Sequence, residues 1–536
     1  MNWYCLAALA VAVLVCGFSA FRQALHLFQL SSYQDASYRK AVKAHKKDFS
    51  GAKRIVPCLV MLLGGFSFSS MPWLLLAGTV LYLLLNRPKK AKKPLVYTAR
   101  VKRLLCCAGV LAVLWLLLLH YVSTCLLYSA LLRSSAGLAR LSLLVPTAAG
   151  VLTILLQHHL ILLCNDLMSP LEQGISHHYY KDARRILDSM PDLTVIGITG
   201  SYGKTSTKYF LERLLSLRYN VYMTPGNYNT TLGVVRAVRE GLRPTHEIFL
   251  CEMGARHIGD IQEICQLVQP SMGIVTSVGP QHLDTFGSLT NVLNTKLELA
   301  AAVRDKGPVF LNFDSEPLAL HAPLQQVISY GQEGVHYHLT NLAIDENGSR
   351  FTVEAPDGQC QSFSTRLLGY ANVQNICGAI AVAHTMDIPL AELAPAVRQL
   401  EGAPHRLQLI RRPGLTIIDD AYNSNPTGAK NALETLALCH GTRIVITPGL
   451  VELGAMEEDY NRELGKQAAG CCQWLITVGD QPRLEAIRQG AREAGLHREH
   501  ILEAKTVQEA MSMAQNLSMP EEGRFVLLLN DLTDNY

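Results

Sequence analysis

Acidic residues are nearly missing from the first third of this 536-residue chain. Residues 1–165 hold 18 Lys and Arg against two acids, Asp35 and Asp48, a net charge of +16. No acid falls between Phe49 and Asn165, so a carboxylate relay or cation path there would lack its usual residues. The remainder carries 30 basic residues against 42 acids, a net −12, which argues against a nucleic-acid partner. The 14 cysteines include no C-x-x-C pair and no zinc-ligand spacing. They read as free, mostly buried thiols of a reducing compartment. Internal repeats and low-complexity segments are also missing. The start lacks the basic flank and small-residue cleavage site of a signal peptide, so the apolar run Trp3 to Ala20 reads as a retained span.

What the first 165 residues do have is apolar sequence between basic flanks. Residues 31–54 hold seven Lys/Arg and residues 86–103 hold eight. Between them, Ile55 to Leu85 is longer than one span of about 20 residues and short for two. Positive charge marks cytoplasmic loops, so this run must cross an even number of times. A hairpin turning at Ser69-Ser70-Met71-Pro72 is expected, with a re-entrant loop as the rival. Leu104 to Leu127 and Leu141 to Cys164 add two spans. The expectation is a five-span membrane domain (1–165) with its N-terminus outside, in the cell (inner) membrane. The cytoplasmic remainder divides into a juxtamembrane amphipathic helix (166–192), a central domain (193–404) and a C-terminal domain (405–536).

The cytoplasmic part is organised around Val195-Ile-Gly-Ile-Thr-Gly-Ser-Tyr-Gly-Lys-Thr-Ser-Thr-Lys208. A β-branched run, a glycine turn and a helical apolar pattern at Phe210, Leu211, Leu214 and Leu215 make strand, loop and helix. Gly200 and Gly203 let the backbone approach an anion at a helix N-terminus. Lys204 would reach the outer phosphates of ATP and Thr205 would hold Mg²⁺. Ile198 stands where the strict phosphate-loop pattern begins with glycine. Strands and helices alternate from residue 193, an α/β pattern with a parallel sheet. Residues 335–366 interrupt it with two strand-like runs around Asp345-Glu-Asn-Gly348, a hairpin signal. A second alternating block begins near residue 405, with strands at Leu415–Asp419, Arg443–Thr447, Trp474–Val478 and Phe525–Leu529.

Ligands of open α/β sheets sit at the carboxyl ends of strands. Polar clusters occur there: Glu252-Met-Gly-Ala-Arg-His257, Gly279-Pro-Gln-His282-Leu-Asp284, Thr224 to Gly233, and Asp419-Asp420-Ala-Tyr-Asn-Ser-Asn425. Any one of them alone is an ordinary helix cap or turn.

Together with I-T-G-S-Y-G-K-T-S-T-K, the stretches G-N-Y-N-T-T-L-G, E-M-G-A-R-H, H-L-D-T-F-G-S, N-T-K-L-E, N-F-D, G-Y-A-N-V-Q-N, D-D-A-Y-N-S-N-P and V-E-L-G make the chain resemble the Mur ligases, in family order over roughly residues 193–460. The resemblance is to the branch that adds D-alanyl-D-alanine to a UDP-sugar peptide. It implies a P-loop central domain, a Rossmann-like C-terminal domain, and ATP-dependent ligation of a carboxylate to an amine through an acyl phosphate. It further implies that Gly200, Ser201, Gly203, Lys204, Thr205, Ser206 and Asn227 bind the nucleotide, Lys204 through its β- and γ-phosphates, and that Asn372 and Asn375 hold adenine. Thr205 and Glu252 would bind one Mg²⁺ and His282 a second. Lys296 would be carbamoylated by CO₂, and Arg406 would reach the γ-phosphate. Asp420, Tyr422 and Asn423 would face nucleotide and amine. Partners implied are a small-molecule or lipid-linked peptide acceptor, an amino acid or dipeptide, and membrane lipid. A poly-amino-acid acceptor, a membrane ATPase and a silent scaffold are the other readings. Departures from the family pattern are Arg256 for Asn, Thr230-Thr231 for Asn-Asn, Ala371 for His, and Leu529-Asn530-Asp531 for Lys-Gly-Ser. Membrane spans stand where the family has its UDP-sugar-gripping domain.

Overall fold

The computed structural model describes residues 2–66, 69–87, 93–133, 136–303, 307–321, 327–422, 425–479, 482–517 and 523–530. It forms two compact units, one reaching Ser176 and one starting at His177.

The first unit is helical. Among the described residues three helices are long and apolar enough to cross a membrane: Tyr4–Leu30, Ala99–Leu132 and Gly137–Leu155. Five were expected. The run Ile55–Leu85 does fold back on itself, as Ala52–Gly64 and Met71–Leu85, with Pro72 in the first turn of the second helix. These helices have 13 and 15 residues, well under the length of about 20 that a crossing requires. The expected span Leu141–Cys164 is also interrupted, because one helix ends at Leu155 and the next begins at Gln157. The expected juxtamembrane helix is the later part of that helix, Gln157–Asp188. Val110, Val113, Leu114, Leu117 and Leu118 of Ala99–Leu132 are exposed, an apolar surface that water does not favour.

The second unit contains two sheets. The first has nine strands: β1 (Thr194–Thr199), β2 (Val221–Met223), β3 (Ile248–Glu252), β4 (Met272–Val275), β5 (Val309–Asn312), β6 (Val327–Gly331), β7 (Tyr337–Asp345), β8 (Gly348–Glu354) and β9 (Cys360–Thr365). Their order is β2-β3-β1-β4-β5-β6-β7-β8-β9. Pairing is parallel through β6–β7, then antiparallel in the final meander. Alternate residues of a strand point to opposite faces, so both faces of β1 and β3 must be apolar if both are covered. Ile196, Ile198, Ile248 and Leu250 pack under the helices Lys204–Leu215 and Tyr370–Thr385. Val195, Phe249 and Cys251 face Thr231–Gly241, Asp260–Val268 and Leu289–Val303. The hairpin at Asp345–Gly348 forms as expected, and β9 adds a third strand that the sequence pattern did not reveal.

The second sheet holds β10 (Gln408–Arg412), β11 (Leu415–Asp420), β12 (Thr442–Thr447), β13 (Trp474–Val478), β14 (Ile501–Ala504) and β15 (Arg524–Leu529), in the order β10-β11-β15-β12-β13-β14. Only β10–β11 is antiparallel. The four expected strands are present. The two unexpected ones are the edges, half exposed and therefore weakly patterned.

Candidate functional site

The end of β1 turns sharply into the helix Lys204–Leu215. Gly200 has φ +147°, and a Cβ there would lie 2.1 Å from Thr276 Oγ1. Gly203 has φ +82°, with the Asn375 amide filling the space its Cβ would take. Only glycine permits this loop. Ser201 Oγ donates to the Gly279 carbonyl (3.1 Å), and Ser201 N–H donates to the Ser277 carbonyl (2.8 Å). The loop is thereby stitched to the end of β4. Lys204 Nζ donates to the Gly200 carbonyl at 2.6 Å. Burial lowers its pKa to about 8; Glu252 opposes this and the Arg406 guanidinium adds to it. Ser206 is buried at the start of the same helix.

Glu252 ends β3 next to this loop. Thr205 Oγ1 and Asn229 Nδ2 each donate to Glu252 Oε1 at 3.1 Å. Lys208 Nζ lies 2.9 Å from Glu252 Oε2 and donates to the carbonyls of Thr224 (2.9 Å) and Gly226 (2.7 Å). Burial would raise the Glu252 pKa, but the Lys208 and Lys204 ammoniums and the hydrogen bonds hold it below its ordinary value. The carboxylate is thus ionised beside a threonine hydroxyl. That oxygen pair suits Mg²⁺, a hard ion that takes few protein ligands when phosphates and water complete its shell. Among the described residues no three His, Cys, Asp or Glu side chains form a closed cage.

His282, with φ +50°, begins the short helix Leu283–Phe286. Its Nδ1 contacts Glu452 Oε2, and Arg256 Nη1 lies 3.2 Å from Glu452 Oε1. The departure at Arg256 thus has a partner from the second sheet's side. Lys296 lies on Leu289–Val303, is 1% exposed, and its Nζ has no hydrogen-bond partner among the described residues. Burial and Lys204 draw its pKa down to about 7, against Asp260 and Glu298. An amine so placed is about half unprotonated near neutrality.

From the second sheet, Arg406 Nη1 donates to the Tyr422 carbonyl (2.8 Å), and its guanidinium stacks 4.5 Å from the Tyr422 ring centroid. Burial pushes Asp420 up to about 7, opposed by Arg406 and the Leu407 N–H and reinforced by Asp419. Asn425 caps the helix Pro426–Ala437 and reaches across to the phosphate loop, its Nδ2 donating to the Ser201 carbonyl at 3.2 Å. Asn423 lies outside the described residues. Asn375 packs on the loop glycine, whereas the Asn372 amide is buried and donates to the Leu368 carbonyl (2.8 Å). Asn227 is exposed; the side chain that its loop sends to Glu252 is that of Asn229. Thr230 caps Thr231–Gly241, preserving a capping role at one departure, and Asn530 takes φ +67° at another while donating to the Gly449 carbonyl (2.8 Å). Lys208, Asn229, Asn425 and Glu452 were assigned no role from sequence. Lys208 had a signal, since four residues beyond Lys204 is the same helix face.

Comparison with known proteins agrees with this geometry. Residues 198–383 match the Mur ligase middle domain and residues 405–529 the Mur ligase glutamate ligase domain, together more than half of the chain. The chain is 31% identical over 314 residues to the UDP-N-acetylmuramoyl-tripeptide–D-alanyl-D-alanine ligase of Bacillus subtilis, covering 58% of this chain and 65% of that protein. It is 34% identical over 315 residues to the ligase of the same name from Mycobacterium tuberculosis, covering 56% of this chain and 61% of that one. The chain therefore spans less than two thirds of these relatives' lengths. MurF from Acinetobacter baumannii superposes with a TM-score of 0.59 at 26% identity, over 66% of this chain and 77% of that one. MurF from Thermotoga maritima in complex with ADP shares the fold, with a TM-score of 0.60 at 24% identity over 66% and 80%.

Proposed function

The chain belongs to the Mur ligase family, and from that premise we propose that it is an ATP-dependent ligase adding D-alanyl-D-alanine to a UDP-N-acetylmuramoyl tripeptide in peptidoglycan synthesis. The observation that carries this reading is the convergence of Lys204, Thr205 and Glu252 at the ends of β1 and β3, with Arg406 close enough to depress Lys204 electrostatically. Phosphoryl transfer depends chiefly on positioning and charge neutralisation, and this set supplies both. The loop backbone and Lys204 would hold the ATP phosphates while the acceptor carboxylate attacks the γ-phosphorus and ADP leaves. The amine then attacks the acyl carbon and expels phosphate, forming the amide. Thr205 and Glu252 would hold Mg²⁺, with His282 near a second site; the metal supplies charge neutralisation at the phosphates. Buried, unbonded Lys296 suits reaction with CO₂, which would turn a cation into an anionic carbamate. The bridge from Asn425 to Ser201 and the Glu452 contacts with His282 and Arg256 favour a water-poor site, as a hydrolysable acyl phosphate requires.

The test is phosphate release by the purified full chain. We expect release only when UDP-N-acetylmuramoyl tripeptide and D-alanyl-D-alanine are both present; strict dependence on another acid–amine pair would overturn the assignment. The three apolar helices favour one second reading, a lipid-linked peptide acceptor, which the same assay distinguishes. They also support placing the protein in the cell membrane. The basic residues of 31–54 and 86–103 support, by the charge rule, a cytoplasmic catalytic part.

A further inference from the structure

Arg54 is among the largest fully buried side chains of the chain, and among the described residues no acid forms an ion pair with it. It stands in the first turn of Ala52–Gly64, at the open end of the hairpin. Its Nη2 donates to Gln23 Oε1 at 2.6 Å and its guanidinium lies 5.0 Å from the Phe49 ring centroid. Nε and Nη1 are buried without a partner among the described residues. Tyr82 Oη, within electrostatic reach of the same guanidinium, is also buried and without a partner among the described residues. The two acids of residues 1–165 are engaged elsewhere: Asp35 with Asn165 (3.5 Å) and Asp48 with His45 (3.9 Å). The guanidinium is held in place rather than stranded by chance. Gln23 Nε2 donates to the Asn86 carbonyl (3.0 Å) and Asn86 Nδ2 to the Lys53 carbonyl (2.9 Å), fastening both ends of the hairpin to the first helix.

A buried cation without an anion is unfavourable unless a counter-charge comes from outside the chain. Unused N–H and O–H donors around a guanidinium match the oxygens of a phosphate. Ile55, Val56, Leu59 and Leu63 of the same helix are exposed and give acyl chains an apolar track leading from that point. Lys43, Lys46, Lys53 and Arg87 lie in the flanks that charge assigns to the anionic cytoplasmic leaflet. We propose that Arg54, with Tyr82, binds the phosphate head group of an anionic membrane lipid, whose net negative charge zwitterionic phosphatidylcholine does not offer. This rests on the reading of the first unit as membrane-embedded.

The full chain in phosphatidylcholine nanodiscs is titrated with phosphatidate, following the thermal midpoint and the bound lipid by native mass spectrometry. Wild type should gain midpoint with phosphatidate and retain one molecule. Arg54→Gln should weaken retention at least about tenfold, and Tyr82→Phe a few-fold. Arg54→Met removes the uncompensated charge, so its midpoint in phosphatidylcholine alone should match or exceed wild type while the phosphatidate increment disappears. That separates loss of a site from loss of folding. Wild-type retention by both Arg54 variants would overturn the proposal. An equal midpoint gain from inorganic phosphate without phosphatidate would overturn the lipid source. Release of wild type from membranes by alkaline carbonate would instead reject the membrane reading beneath it.

Discussion

Lys208 Nζ and Glu252 Oε2 lie 2.9 Å apart with both side chains buried. Removing one partner of such a pair leaves a stranded charge, which costs about 3–5 kcal/mol. Lys208→Met should therefore lower stability by that order in urea unfolding of the full chain in micelles. The double variant Lys208→Met/Glu252→Gln, which removes both charges, should recover much of the loss.

Lys204→Ala removes the charge and anchor of the phosphate loop. Phosphate release should fall by about 10²-fold or more, as for other groups that stabilise transferring phosphoryl charge. Glu252→Ala should chiefly raise the Mg²⁺ concentration needed for half-maximal rate. An unchanged Mg²⁺ titration would make Glu252 a structural partner of Lys208 only.

Lys296 titrates near 7, and only its free amine attacks CO₂. Lowering the pH by one unit below that value leaves about a tenth of the amine free. A carbamate signal from ¹³CO₂, read by carbon NMR, should accordingly fade as the pH drops from 8 to about 6, and Lys296→Ala should lack it. Short-chain acids should restore part of the activity of Lys296→Ala if an anion at that place is what the reaction uses.

Asp420 releases its proton near 7 in the folded chain and near 3.8 when exposed. Between those values the folded state holds the extra proton, so stability falls as pH rises through the window. Asp420→Asn should remove this slope: the unfolding free energy should exceed that of wild type at pH 8 by a few kcal/mol, seen as a higher calorimetric midpoint, with little difference near pH 4.

Much of the second unit was legible because its strands are short apolar runs with motif residues at their ends. β1, β11, β12, β13 and β15 fall where patterning put them. β9, β10 and β14 are outer or half-exposed strands, whose mixed composition carries little period. In the first unit apolar content is uniform, so composition located the membrane-type sequence but not the helix ends at Gly64 and Leu155. At the site, the motif residues Thr205 and Glu252 are joined by a hydrogen bond. Glu452 was not foreseen beside His282, because the contact joins positions 170 residues apart. Asn229 rather than Asn227 turns inward, a choice made by loop geometry that the letters alone do not state.

β1 lies in the interior of the nine-stranded sheet. It is paired on one side with β3 and on the other with β4, and both its faces are covered. Its amides should exchange with deuterium only when the whole domain opens, whereas those of the edge strands β2 and β9 should exchange through local fraying. The phosphate loop therefore hangs from interior backbone, and thermal breathing at the sheet's periphery should leave its shape intact.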